Sequence, residues 1–267
     1  MKTVVSEQKE KQLNILLPKG SLQGETLEMF QRAGYDVEGY TEIDRSYRAK
    51  ISNDPQLNIK ISRPQEIPTY VAMEGYDLGI TGQDWVEETD VEVAEVLPLG
   101  YGKIDVILAV LEERTDIDSF EDIINSAERN IRISTEYLNI SEKYVLEQTA
   151  EILGNPVPPA IRTPWKRLNT EGASESNITL ILSFGATEGK PPEEADAIID
   201  NSTSSRRTLR ANNLKDIELL RASEATLIAD PESLKDEWKQ KKIEEVTQTL
   251  EKGLFRRRTE SLLGHIR

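Results

Sequence analysis

The sequence predicts an α/β protein built on mostly parallel sheets, and three observations point there. Apolar runs of strand length alternate along the chain with stretches of helical pattern. Several of those runs are continuous, as in strands buried on both faces. Two helical stretches stop at a glycine, Gly34 and Gly154, the residue that most readily takes left-handed backbone beyond a helix C-terminus.

The chain is long enough, at 267 residues, for one large domain or two small ones. Its 33 basic and 48 acidic residues leave a net charge of −15. That balance argues against a nucleic-acid or anionic-membrane partner, since both require a basic face. It does not argue against phosphate ligands, which respond to local fields. With no cysteine there is neither a disulfide framework nor a thiol nucleophile. The single histidine, His265, rules out His triads and His-based metal sites. Met1 to Gln12 has no apolar signal region, and the longest apolar run, Val106–Leu111, is far short of a membrane span. A cytoplasmic location is expected.

In chain order, Leu13–Leu17 reads as a buried strand, Pro18–Gly20 as a turn and Leu22–Ala33 as a helix. Lys19 therefore sits where a strand meets a helix start, a common ligand position in α/β sheets. Tyr47–Ile51 and Leu57–Ile61 form a hairpin across Asn53-Asp54-Pro55. Arg45, Arg48 and Arg63 flank it; they are either solvated or, if they converge, able to hold a triphosphate. Pro64–Met73 is a short helix and Tyr76–Ile80 a strand, with Thr81–Asp84 as the turn after it. Gly79 and Gly82 allow close approach of backbone to a ligand, while Asp77 begins its strand and has a structural reading. Val91–Leu97 is a strand, and Gly100 and Gly102 suit a hinge before a second domain that starts with the strand Ile104–Val110. A helix (Ser119–Ser126), a strand (Ile131–Ser134), a helix (Ser141–Leu153), a polar stretch (Arg162–Asn177) and a strand (Ile178–Leu182) follow. Beyond Leu214, Ile217–Arg221 and Ala225–Ile228 read as short strands returning to the first domain. Asp230-Pro231 caps a helix whose stripe is Leu234, Trp238, Ile243, Val246, Leu250 and Leu254. Arg256 to Arg258 complement the dipole at its end.

The rest of the chain is arranged around Ser183–Leu214. Ala195–Asp200 is an apolar run bracketed by carboxylates, the pattern of a buried parallel strand. Asn201–Thr208 carries hydroxyls, amides and two arginines, and Leu209–Leu214 begins a helix or turn. A strand, a small-residue loop and a helix start make an anion cradle. Ser202, Thr203, Ser204, Ser205 and Thr208 offer hydroxyls and backbone N–H groups, and Arg206 and Arg207 offer bidentate contacts to phosphate. Asp196 and Asp200 cannot bind phosphate directly and suit sugar hydroxyls or a bridging cation. The alternative is a solvated Ser/Thr loop between two elements.

Gly-Ala-Thr-Glu (185–188), Lys-Pro-Pro (190–192), Ala-Asp-Ala-Ile-Ile-Asp (195–200) and Thr-Leu-Arg-Ala-Asn-Asn-Leu (208–214) resemble the phosphoribosyl-pyrophosphate (PRPP) loop of the ATP phosphoribosyltransferase family. Leu-Pro-Lys-Gly-Ser-Leu (17–22), Arg-Pro-Gln-Glu-Ile-Pro-Thr-Tyr-Val (63–71) and Asp-Leu-Gly-Ile-Thr-Gly-Gln-Asp (77–84) match further motifs of that family in order. The likeness spans about residues 12 to 230. Two departures stand out. Where the family loop ends in Thr-Gly-x-Thr, this chain reads Ser204-Ser205-Arg206-Arg207-Thr208, without a glycine. Ser21 replaces the arginine of the family's Pro-Lys-Gly-Arg.

The resemblance implies a two-lobed, type II periplasmic-binding-protein-like fold with a C-terminal helix. Its lobes would be 11–102 plus 216–230 and 103–215, followed by a helix and tail over 231–267, with the active site in the cleft. It implies transfer of phosphoribosyl from PRPP to N1 of ATP, with Mg²⁺ bridging the pyrophosphate. It assigns Ser202–Thr208 to the ribose 5-phosphate; Asp196 and Asp200 to the ribose or its metal, with Asp200 as metal ligand; and Glu188 to the same region. Lys19 and Gly20, with Arg45, Arg48 and Arg63, would hold pyrophosphate or ATP phosphates. Two other readings stand beside it: a regulatory or nucleotide-binding subunit that has lost its chemistry, and a solute-binding protein, which the missing export signal disfavours. Long family members carry a histidine-binding domain after a linker helix, and short ones rely on a partner subunit. Nine residues follow Arg258 here, so the chain alone is expected to ignore histidine. The helical stripe is expected to pair between subunits in a homodimer.

Overall fold

The structure, a computed structural model of the chain, describes residues 11–126, 130–164 and 177–264, with side chains described to residue 256. The N-terminal arm before residue 11, residues 165–176 of the polar stretch, His265 and the side chains of Arg257 and Arg258 fall outside it.

Numbered along the chain, the first elements are β1 (Leu13–Pro18), α1 (Gln23–Ala33), β2 (Val37–Glu38), β3 (Arg48–Ile51), β4 (Leu57–Ser62), α2 (Ile67–Ala72), β5 (Leu78–Gly82), α3 (Gln83–Thr89) and β6 (Ala94–Pro98). Then come β7 (Ile104–Leu111), α4 (Phe120–Asn125), β8 (Ile131–Thr135), α5 (Leu138–Leu153), β9 (Ala160–Arg162), β10 (Ile178–Leu182), β11 (Ala197–Ser202), α6 (Arg207–Ala211) and β12 (Leu214–Ser223). The chain closes with β13 (Ala225–Ala229) and α7 (Glu237–Gly264). Gly34 and Gly154 adopt left-handed backbone at the ends of α1 and α5, where no side-chain penalty opposes it.

Two compact units result: residues to Gly102 together with the chain from Glu224 onward, and Lys103–Ser223. In the first, the strand order is β2-β3-β4-β1-β5-β13-β6. β1 lies parallel to both β4 and β5, and the flanking pairs are antiparallel. In the second, the order is β12-β7-β11-β8-β10-β9. β11, β8, β10 and β9 run parallel, and β7 is antiparallel to β11 and to β12.

Four expectations change. Residues 216–223 were expected with the first unit; they form one long strand, β12, whose hydrogen bonds go to β7, so they stay in the second. The strand expected at 195–200 runs from Ala197 to Ser202 and has one antiparallel neighbour. Thr81 and Gly82 belong to β5, and α3 starts at Gln83. Asp230 does cap, accepting from Glu232 N at 3.2 Å and Ser233 N at 2.9 Å. It caps only a single 3-10 turn, and the backbone N of Lys239 donates to Asp236 at 2.9 Å at the start of α7.

α7 covers the first unit's core. Ile243, Val246 and Leu250 are fully buried, with Leu234, Trp238 and Leu254 packed beside them. Burying such side chains is worth about 1.5–3 kcal/mol each. The stripe is thus consumed within its own subunit and does not supply the dimer contact expected of it. Asp77 fastens the helix: its carboxylate accepts from Asn14 N (2.6 Å) and Ser233 Oγ (2.8 Å) and pairs with Lys239 Nζ (2.6 Å). Its role is structural. No helix among the described residues is long and apolar enough to cross a membrane.

Candidate active site

In the second unit, the parallel strands β8, β10 and β11 end at one edge, the usual ligand side of an α/β sheet. Thr135, buried at the end of β8, organises that edge. Its Oγ1 accepts from Tyr137 N at 2.8 Å and from Ser141 Oγ at 3.1 Å, and its carbonyl accepts from Ser183 N at 2.8 Å. Tyr137 is fully buried, and its hydroxyl accepts from Asn201 Nδ2 at 3.0 Å.

Asp200 lies on β11 beside this network, 7% exposed. Its Oδ1 accepts from Asn201 N at 2.7 Å. Burial pushes its carboxyl up to about 7; hydrogen bonds from Thr187 and the Asn201 backbone oppose the rise, and the charges of Glu136 and Glu188 add to it. Glu188 is half-buried in the 3-10 turn Thr187–Gly189. A carboxyl poised this way is unfavourable as an anion until a cation or hydroxyl donors arrive. No group of three Asp, Glu or His side chains able to hold a metal occurs among the described residues. The Asp200 carboxylate offers oxygens of the kind that hard divalent cations take as ligands.

The loop after β11 carries the hydroxyls. Ser202 is buried; Thr203, Ser204, Ser205, Arg207 and Thr208 are exposed. Thr203 Oγ1 and Ser205 Oγ share a 2.8 Å hydrogen bond, and Arg206 N donates to Thr203 O at 2.9 Å. Arg206 itself departs from expectation. Its guanidinium pairs with Asp105 (2.8 Å) and Asp216 (3.0 Å), and its Nη1 donates to Ser202 O (3.3 Å) and Thr203 O (3.1 Å). Its donors are spent inside the protein, so of the two arginines only Arg207 remains for phosphate.

Asp196 is corrected as well. It lies before β11, at the opposite end of the strand from Ser202. Its Oδ1 pairs with Arg132 Nη2 at 2.8 Å and its Oδ2 with Arg132 Nε at 3.0 Å. Arg132 also donates to the carbonyls of Pro192 and Glu193. Burial raises the Asp196 carboxyl, but the Arg132 guanidinium outweighs it and holds the group below its usual range. This is a structural ion pair.

In the first unit, β1 and β4 end together, with Pro18 opposite Ser62 and Lys19 N donating to Ser62 O at 2.8 Å. Lys19 Nζ sits 4.7 Å from the centre of the Tyr47 ring, a cation–π contact. Gly20 has φ +92°, and a Cβ there would lie 3.9 Å from Arg63 Nη1. Lys19, Gly20, Tyr47 and Arg63 thus share one edge. Arg48 is exposed on β3 opposite Lys60, and Arg45 is exposed in the segment before it. None of these three arginines forms an ion pair among the described residues. At Gly79 and Gly82 the space a side chain would take is already filled by protein. A Cβ at Gly79 would fall 2.5 Å from Ile67 Cγ2, because α2 packs directly on β5, and at Gly82 it would fall 2.1 Å from Asp84 Oδ1.

Sequence reasoning gave no role to Tyr47, Glu136, Tyr137, Asp105 or Asp216, and it took in Thr187 and Asn201 only as members of the 185–188 motif and the 201–208 loop. Tyr47 carried a local signal, an aromatic beside Arg48 in a hairpin arm; Asp105 and Asp216 come together through sheet order.

The ATP phosphoribosyltransferase family model matches residues 63–252, which include both Arg63 and the whole of the Asp200 edge. The chain belongs to the ATP phosphoribosyltransferase family. Curated relatives agree. The ATP phosphoribosyltransferase of Prosthecochloris aestuarii is 36% identical over 244 residues, covering 90% of this chain and 70% of that one. That of Desulforudis audaxviator is 34% identical, covering 94% and 75%. Among solved structures, a chain of the ATP phosphoribosyl transferase (HisG:HisZ) complex from Thermotoga maritima superposes with a TM-score of 0.66 at 19% identity, covering 91% of this chain and 99% of that one. The periplasmic aliphatic sulphonate binding protein of Escherichia coli gives 0.52 at 12% identity, covering 95% and 71%. The transferase thus has the α/β fold of periplasmic-binding-protein type.

Proposed function

We propose that the two strand edges divide the substrates of the family reaction between them. The protein is a glycosyltransferase that moves the phosphoribosyl group of PRPP to N1 of ATP, giving phosphoribosyl-ATP and pyrophosphate in histidine biosynthesis. The N1 lone pair forms the new bond to C1 of the ribose, and the C1–oxygen bond to pyrophosphate breaks with its electron pair. The ring nitrogen needs no activation by a base, so the protein contributes positioning and charge balance.

The observation that carries the division is Asp200. A buried carboxyl, raised to about 7 and next to a hydroxyl-rich loop, suits the ribose hydroxyls of PRPP and one position on its cation. Mg²⁺ would neutralise the departing pyrophosphate. Ser202–Ser205, Arg207 and Thr208 receive the 5-phosphate, and Glu188 lies close enough to raise the affinity for the cation. Lys19 and Gly20, with Arg45, Arg48 and Arg63, receive the phosphates of ATP. A partner subunit is proposed from the HisG:HisZ assembly of the Thermotoga maritima neighbour.

The test is turnover. Protein, ATP, PRPP and Mg²⁺ should yield phosphoribosyl-ATP, seen by its ultraviolet absorbance, and excess EDTA should abolish it. Product formation undiminished by EDTA would remove the cation from the mechanism, and no product with or without a partner subunit would remove the activity.

A further inference from the structure

Arg206 stands at φ 48°, ψ 26°, in the left-handed region, immediately before α6. A non-glycine residue there carries a cost that surrounding structure must offset. The guanidinium, about one-fifth exposed, reaches Asp105 Oδ2 at 2.8 Å and Asp216 Oδ2 at 3.0 Å. It also donates to the carbonyls of Ser202 and Thr203, so the side chain bonds back to the start of its own loop. Asp105, the second residue of β7, pairs directly with Ser202 in the sheet; Asp216 lies on β12. An irregularity in β12 between Asp216 and Glu218 shifts the register there. The backbone closes the same turn, with Arg206 N donating to Thr203 O and Arg210 N to Arg206 O.

We infer that Arg206 is a positioning residue for PRPP, clamping loop 202–208 through Asp105 and Asp216 so that a left-handed turn forms without glycine. The inference rests on the assignment of that loop to the 5-phosphate. It does not place Arg206 against the ligand: four polar contacts hold its donors within the protein. The clamp replaces backbone freedom with charge-assisted hydrogen bonds, which fix geometry as well as adding energy. Loop order is thereby tied to two carboxylates outside the loop, on β7 and β12.

The experiment compares Arg206→Ala, Arg206→Gly, Asp105→Asn and Asp216→Asn with the wild type by steady-state kinetics, with PRPP as the varied substrate. Hydrogen exchange of the 203–208 amides is measured on the same proteins without ligand. Arg206→Ala and each Asp variant should raise KM for PRPP, on the order of tenfold for loss of a charge-assisted contact, with kcat and KM for ATP little changed. Arg206→Gly should recover part of the loss, because glycine takes the required φ without strain. All variants should speed exchange at 203–208, Arg206→Gly no less than Arg206→Ala.

Three results overturn the inference. One is a tighter PRPP interaction in Asp105→Asn, as expected if freeing the guanidinium lets it reach phosphate. Another is an Arg206→Gly loss equal to that of Arg206→Ala with unchanged exchange. The third is unaltered exchange in every variant, which sinks the clamp whatever the kinetics. Faster exchange in the variants together with no PRPP dependence in the wild type would instead reject the substrate assignment and leave the clamp standing.

Discussion

The two strand edges proposed to hold the substrates present opposite charges. In the first unit the charges are cationic and outward. Arg45, Arg48 and Arg63 are exposed, and Lys19 rests on Tyr47. In the second the critical charge is a buried carboxyl, and one of the loop's two arginines, Arg206, is already paired. Exposed cations meet phosphate at little cost in reorganisation, but salt screens them. A buried carboxylate is costly until its partner arrives, which makes it selective for hydroxyl donors and a cation. On the proposed division, the difference is how a chain with a net charge of −15 would bind two polyanions. It leaves arginines unpaired at one edge, and at the other it holds a carboxyl that needs a cation.

The contrast breaks most visibly at Asp200. Asp200→Asn should lower kcat by about 10²–10³-fold, the scale of losing one preorganised electrostatic group. Steady-state kinetics with saturating ATP and PRPP check it, and wild-type kcat in the variant would put the carboxyl outside the site. The same substitution should act on stability in the opposite sense. The folded carboxyl is raised above its unfolded value near 3.9, so its ionisation costs stability as pH rises from about 4 to about 7. Thermal melts should show Asp200→Asn close to wild type at pH 4 and more stable at pH 8, by up to about 4 kcal/mol.

At the first edge, Arg63→Ala should weaken ATP by about 1.5–2 kcal/mol, and less in high salt, with PRPP affinity nearly unchanged. Calorimetric titrations of each substrate check this; a larger loss for PRPP than for ATP would reverse the division of labour. The smallest effect is expected at Asp196. Its carboxyl is held down by Arg132, so the stability it brings is present above an ordinary carboxyl pKa and is lost as pH falls below about 4. Asp196→Asn should cost about 1 kcal/mol in neutral melts, a value discounted for partial exposure, and leave PRPP binding intact.

Much of this was legible in the chain. The continuous apolar run Val106–Leu111 marks a strand because burial on both faces leaves no polar position, while Leu13–Leu17 and Ile178–Leu182 each admit only one polar residue, Asn14 and Thr179. The glycines after α1 and α5 mark helix ends because left-handed backbone suits them. The segment around Asp200 stood out by the residues on either side of it. What was not legible depends on the third dimension. Asp196 and Asp200 look equivalent in Ala-Asp-Ala-Ile-Ile-Asp; only strand direction shows that one lies at the structural end, facing Arg132, and the other near the ligand edge. Gly79 and Gly82 read as places for close backbone approach to a ligand; the structure adds that α2 and Asp84 fill the space their side chains would take. Arg206 reads as a phosphate donor until the pairing of β7 with β11 and β12 brings in Asp105 and Asp216.

The most direct measurement is the proton balance of PRPP binding. Calorimetric titration of PRPP with excess Mg²⁺ at pH 7, in buffers of different ionisation enthalpy, reports protons released. If Asp200 ionises to meet the ribose and its cation, the wild type should release about half a proton more than Asp200→Asn, since a carboxyl near 7 is half protonated there. Equal release from the two proteins, with PRPP bound equally well, would contradict the placement of the phosphoribosyl group at Asp200.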